Sequence, residues 1–287
     1  FNQNFTTATN SNNTAVGYAA GKLITTGTLN TLIGSTAGDA LTTGGENVAL
    51  GYAALSADDV GGHSTAIGAF ALQVQNFATA TDSHNTAVGY AAGNQVTTGV
   101  KNTLIGGLAG DALTTNGLNV VVGYGALSTE DTGSRNVAIG VSALSTQNAD
   151  TTNYNVAVGY NAGSAVTTGI QNTLIGGLAG DALTDADGNV VVGRGALTTD
   201  TLGSQTTAIG SRTLNAQNFT TATNTYNTAV GADAGLSVTT GVRNTIVGGI
   251  AGDALTEGND NTVFGYNALT SDTLGDKTVA IGRSVLS

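Results

Sequence analysis

The chain contains no cysteine, no proline, no methionine and no tryptophan. Without cysteine there is no disulfide, no thiolate metal site and no cysteine nucleophile. Charge is scarce too: only 9% of the 287 residues are charged, and just eight are Lys or Arg against 19 Asp and Glu. A net charge of −11 excludes the clustered cations that a nucleic-acid footprint needs. It also disfavours an anionic membrane surface. No apolar run approaches the length of a membrane-spanning helix, so direct membrane insertion is not expected. The chain opens on Phe1 without a methionine or a signal peptide, which reads as a processed end or the edge of a fragment.

What is present is small and aliphatic. Hydrophobic residues make up 40% of the chain, mostly Ala, Val, Leu and Ile, beside 43 Gly and abundant Thr and Asn. A disordered chain would have few aliphatics and many charges, so this one is expected to fold around a thin core.

A short phrase recurs throughout. "NTAVGYAAG" stands at 13–21 and 85–93, "NTLIGSTAG" at 30–38, and "NTLIGGLAG" at 102–110 and 172–180. Its first glycine marks sixteen units, from Gly17 to Gly282. The spacing is 17 residues, interrupted after every fourth unit by a step of 21, 19 and 21. This gives four blocks, about 1–84, 85–154, 155–226 and 227–287, within a single repetitive domain.

Each slot has its own rule. The residue before the glycine is aliphatic or Phe in every unit. Three after it, Ala fills fourteen of sixteen slots; four before it, Asn fills thirteen. T-A-V-G alternates with period two and is rich in β-branched residues, which favours a strand. A second short strand is expected at "LITTG" (23–27) and "QVTTG" (95–99), with Gly, Asn and Asp forming the bends. The economical fold is an all-β parallel β-solenoid, one coil per unit, sixteen coils stacked by parallel pairing. At about 4.8 Å per coil the stack would be roughly 77 Å long.

Slot rules then become stacking rules. Val16, Ile33, Leu50, Ile67, Val88 and Ile105 are expected to form a continuous inner spine. Asn13, Asn30, Asn47, Asn85, Asn102, Asn119 and Asn136 are expected to form an amide ladder along the axis. The slot two before glycine is expected to face outward. Its larger members Leu32, Leu104, Val121, Leu174, Val191 and Ile246 would form a lateral interface with another chain.

The phrases "NTAVGYAAG" and "STAIGAFAL" resemble the head repeats of YadA-like trimeric autotransporter adhesins, repeats also found in phage tail fibres and other surface fibres. The resemblance covers all sixteen units. It implies a left-handed β-roll, three chains side by side, and an adhesive or structural role outside the cell. The chain ends also match: "RSVLS" followed by "FNQNFTTATN" is similar to "RTLNAQNFTTATN" at 212–224. We therefore expect a segment of a longer array or a subunit that stacks end to end.

Chemistry has little support. Links such as "QNFATATDSHN" (75–85) and "QNFTTATNTYN" (217–227) carry Phe5, Phe77, Thr79, Phe219, Thr220, Tyr154 and Tyr226 as candidate contact or glycan-bearing positions. The competing reading is a solvated spacer whose ring folds back. Asp39, Asp111, Asp181 and Asp253, with Asp58, Glu130, Asp200 and Asp272, recur too far apart for calcium ladders and read as turn caps on a soluble outer face. "DADGN" (185–189) is a lone calcium-like fragment that does not repeat. His63 and His84 are the only histidines, and no nucleophile arrangement converges on them. Paired threonines of "TTG" suggest an ice-binding face, but one interrupted in each block.

The expectation is a non-enzymatic extracellular fibre or adhesin, on a cell-surface filament or a virion, without catalytic residues, cofactor or metal. Its partner would be a second and third copy of the chain, with a possible host-surface or glycan receptor. The alternatives are a phage tail-fibre shaft or receptor-binding segment, and a carbohydrate-binding module using the links.

Overall fold

A computed structural model describes residues 3 and 9–287. Phe5 lies outside the described residues. The described chain is a parallel β-solenoid of sixteen turns without helix, divided into two compact units. One unit runs through Ile139 and takes in Asp150–Thr152; the other comprises Gly140–Ala149 and Asn153–Ser287.

The first unit holds eight three-residue strands: Thr14–Val16, Thr31–Ile33, Val48–Leu50, Thr65–Ile67, Thr86–Val88, Thr103–Ile105, Val120–Val122 and Val137–Ile139. The second holds Val156–Val158, Thr173–Ile175, Val190–Val192, Thr207–Ile209, Thr228–Val230, Thr245–Val247, Thr262–Phe264 and Val279–Ile281. Neighbours pair in parallel one unit apart, as Ala15 with Leu32 and Leu32 with Ala49. The long links do not disturb this register. Thr65 pairs with Thr86, and Thr207 with Thr228, across steps of 21 residues.

The second strand expected at 23–27 and 95–99 is absent; both stretches are bends. Thr25 and Gly27 both donate N–H to the one carbonyl of Thr42, so the stretch wraps around an acceptor instead of forming a ladder. Short additional pairs occur in the links, Gly61–Gly62 with Thr81–Asp82 and Gly203–Ser204 with Thr223–Asn224.

Each coil needs a glycine after its strand. A side chain on Gly34, which has φ 137°, would overlap the stacked carbonyl of Gly51 directly.

The faces of the strand are the reverse of the expectation. Leu32, Leu104, Val121, Leu174, Val191 and Ile246 are fully buried and form the core. Val16, Leu50 and Ile105 are exposed, and Ile33, Ile67 and Val88 are half-buried on the outer surface. The reason is volume. A coil of 17 residues encloses little space, so large side chains must change slot from coil to coil. Leu32 and Leu41 meet over Gly38 in one coil; in the next, Ala49 lies inside beside Leu55. A slot that swings between Ala and Leu is an inner slot under volume constraint.

Candidate functional site

Asparagine joins the coils, but through the backbone. Asn30 Oδ1 accepts the N–H of Asn47 at 3.0 Å, while its Nδ2 donates to the carbonyl of Gly44 at 3.0 Å. Asn13 does the same with Asn30 N–H and the Gly27 carbonyl. Asn47, Asn85 and Asn102 repeat the pattern, and Asn136 donates its N–H to Asn119 Oδ1. One asparagine does meet the next directly, Asn119 Nδ2 donating to Asn102 Oδ1 at 3.3 Å. The side chain thus satisfies two buried backbone groups at the bend, which is why Asn is needed there.

Sequence reasoning missed a buried polar cluster. Asp58, read as part of a soluble outer face, is fully enclosed. Its Oδ1 accepts Gly61 N–H at 2.9 Å, which does make it a turn cap, and its Oδ2 accepts Gln75 Nε2 at 2.7 Å. Gln75 Nε2 also donates to Ser64 Oγ, and Gln75 Oε1 accepts Asn85 Nδ2. Asp200 repeats this with Gly203, Gln217 and the Phe219 N–H. Burial pushes the Asp58 carboxyl above its usual range, against the opposing bonds from Gln75 and Gly61. A signal did exist: where Leu stands four after the glycine, an acid or Gln stands seven after it, as in Leu55 with Asp58 and Leu72 with Gln75.

The two histidines converge. His63 Nε2 lies 3.1 Å from Glu46 Oε2, and its Nδ1 lies 3.0 Å from Asp82 Oδ1. The His84 ring lies 5.1 Å from that of His63, tilted by 52°. His63 lines a hollow of about 210 Å³ with Thr43 and Thr81. Both nitrogens of His63 are engaged by carboxylates, and Thr81 Oγ1 donates to the Thr79 carbonyl instead of to the ring. The arrangement ties Glu46, His63 and Asp82 of successive coils together. No group of three or more His, Asp or Glu among the described residues is placed to hold a metal.

Other candidates also serve stacking. Asp185 Oδ1 accepts Thr168 Oγ1, and Asp187 Oδ1 accepts Ile170 N–H, so the "DADGN" carboxylates face the preceding coil. Thr25, Thr42, Thr97 and Thr114 donate their hydroxyls to carbonyls of the next coil. In the links, Phe77 and Phe219 are buried and cannot be contact residues; the rings fold back onto the roll, as the spacer reading has it. Thr79, Thr220, Tyr154 and Tyr226 are exposed.

What remains unused by the fold is the outer strand face. In the first unit Val16, Val48, Leu50, Ile105, Val120 and Ile139 stand exposed, with Ile33, Ile67 and Val88 half-buried on the coils between; in the second, Ile175, Val190, Ile209, Phe264, Val279 and Ile281 stand exposed. Comparison with known proteins gives no matching family model and no matching curated protein.

Proposed function

We propose that this chain is a structural segment of an extracellular fibre or adhesin, non-enzymatic, in which three chains pack side by side. The observation that carries this is the outer strand face. Each strand puts Thr or Val and then an aliphatic residue or Phe on the outside, although neither fills the core. Core packing does not demand this pattern, and a continuous apolar stripe of this length is unusual on a lone chain. A parallel sheet face in identical register suits a second copy of itself, because the periodicities match coil by coil. The net charge of −11 keeps the other surfaces apart.

The resemblance to YadA-like heads adds the count of three, the left-handed winding and the location outside the cell. In this reading the interface is made by Val16, Leu50, Ile105 and their equivalents, while Leu32 and Leu104 stay inside each chain. Native mass measurement with negative-stain microscopy tests it. Three-chain elongated particles are expected; a uniform monomer at micromolar concentration overturns it.

A further inference from the structure

The strand face is not the only surface with an unassigned role. Beyond the glycine bend, on the coils that carry Phe70, Tyr90 and Leu108, the surface has a groove of about 310 Å³. Its floor is Ala91, a small buried residue in the slot that Phe70 and Leu108 fill on the coils either side. One wall is aromatic. The Phe70 and Tyr90 rings lie 5.9 Å apart at 87°, so together they offer a ring face and a ring edge at a corner. Tyr52 supports Phe70 from behind at 5.2 Å.

The opposite wall is polar. Gln73, Asn94 and Asp111 occupy one row on three successive coils. Asn94 is locked: its Nδ2 donates to the Phe70 carbonyl at 3.2 Å and to Gln73 Oε1 at 3.0 Å. Asp111 Oδ1 is enclosed and has no hydrogen-bond partner in the chain. Among the described residues none accepts from Gln73 Nε2. Gln73 Nε2, a donor, and the half-buried Asp111 carboxyl stand at the two ends of the row, two coil steps or about 9.6 Å apart by the usual strand spacing.

We propose that this groove binds a pyranose sugar, neutral or carrying an amino group. An aromatic corner matches the apolar C–H face of the ring. The row of amide and carboxyl groups matches its hydroxyls, and the Asp111 side chain at its end disfavours acidic sugars. Among the described residues the full combination occurs once. Asp181 repeats the acid and its Oδ1 is likewise without a partner, but Ser142 replaces Phe70 and Asn161 fills the place of Ala91. The acid alone is therefore a feature of the repeat, and the aromatic corner over an alanine floor makes the difference.

The test is saturation-transfer NMR and titration with a panel of methyl glycopyranosides, glucose, galactose, mannose and N-acetylglucosamine, on the full chain. Ala91→Leu fills the floor and suits the backbone, since Leu108 adopts the same positive φ; Tyr90→Ala removes an exposed ring. Each should weaken binding about tenfold or more, while Asp181→Asn leaves it unchanged and all three keep the parent thermal melt. Absence of any saturation transfer across the panel at millimolar sugar overturns the proposal, as does undiminished binding in folded Ala91→Leu. Because it reads the chain itself, the result is independent of how many chains assemble.

Discussion

Gln75 Nε2 lies 2.7 Å from Asp58 Oδ2, and both side chains are fully enclosed. Asp58 supplies two acceptors, one to Gln75 and one to Gly61 N–H. An amide offers only one oxygen. Asp58→Asn should therefore strand one buried donor and cost about 1–3 kcal/mol, read by urea unfolding. An unchanged midpoint would mean that the enclosure is not maintained in solution.

Adjacent residues on one strand should behave oppositely. Leu104 is buried and Ile105 exposed. Leu104→Ala should cost about 2–5 kcal/mol. Ile105→Lys, paired with Val120→Lys on the next coil, should leave the chain folded and release it from any assembly. Circular dichroism melts and sedimentation separate the two effects. Equal destabilisation would return the aliphatic row to the interior.

Asn30→Ala leaves the Asn47 N–H and the Gly44 carbonyl buried without their partner, at about 1–3 kcal/mol for each. Asn30→Asp keeps an acceptor for the N–H and loses only the donor. Denaturant titration should rank the aspartate variant between the parent and the alanine variant.

Gly34→Ala meets both strain and overlap, because the backbone is at φ 137° and the Gly51 carbonyl lies in the way. Each contribution is about 1–3 kcal/mol. Gly177, with open space around it, is the control that should tolerate alanine. Thermal melts of the two variants give the comparison.

Acid should not weaken this protein as it weakens most. Burial raises the carboxyls of Asp39, Asp58, Asp111, Asp181 and Asp253 above 3.8. A folded-state value above the unfolded one means that the folded chain takes up the proton first. The resulting stability is complete below 3.8 and is lost as pH rises through the higher folded values. Asp260, held low by hydrogen bonds from exposed Arg243, works the other way but is a single surface pair. Calorimetry from neutral pH down to about pH 4 should show a melting temperature that holds or climbs. A steady fall over that range would contradict it.

Much of this was legible in the sequence because the repeat is strict. T-A-V-G and its relatives are the strands, the slot glycine is the stacked bend, and the asparagine row does join coils. The facing of the strand was not legible, since alternation alone does not say which side is in. The variable volume of Ala15, Leu32 and Ala49 held that answer, read together with Gly21, Gly38 and Leu55. His63 and His84 meet because both stand five before a slot glycine, a relation hidden by their distance of 21 in the chain. The sugar groove depends on one alanine between two bulky neighbours, which only the stacked coils bring side by side.

The strand register survives a four-residue insertion between Thr65 and Thr86 unchanged. The roll therefore works as a ruler graduated in coils, on which a link can lengthen without shifting the next mark. Exposed link positions such as 78–80 or 220–222 can be rewritten while the strands on either side keep their pairing, which makes the chain a scaffold whose surface can change without shifting the coils it joins.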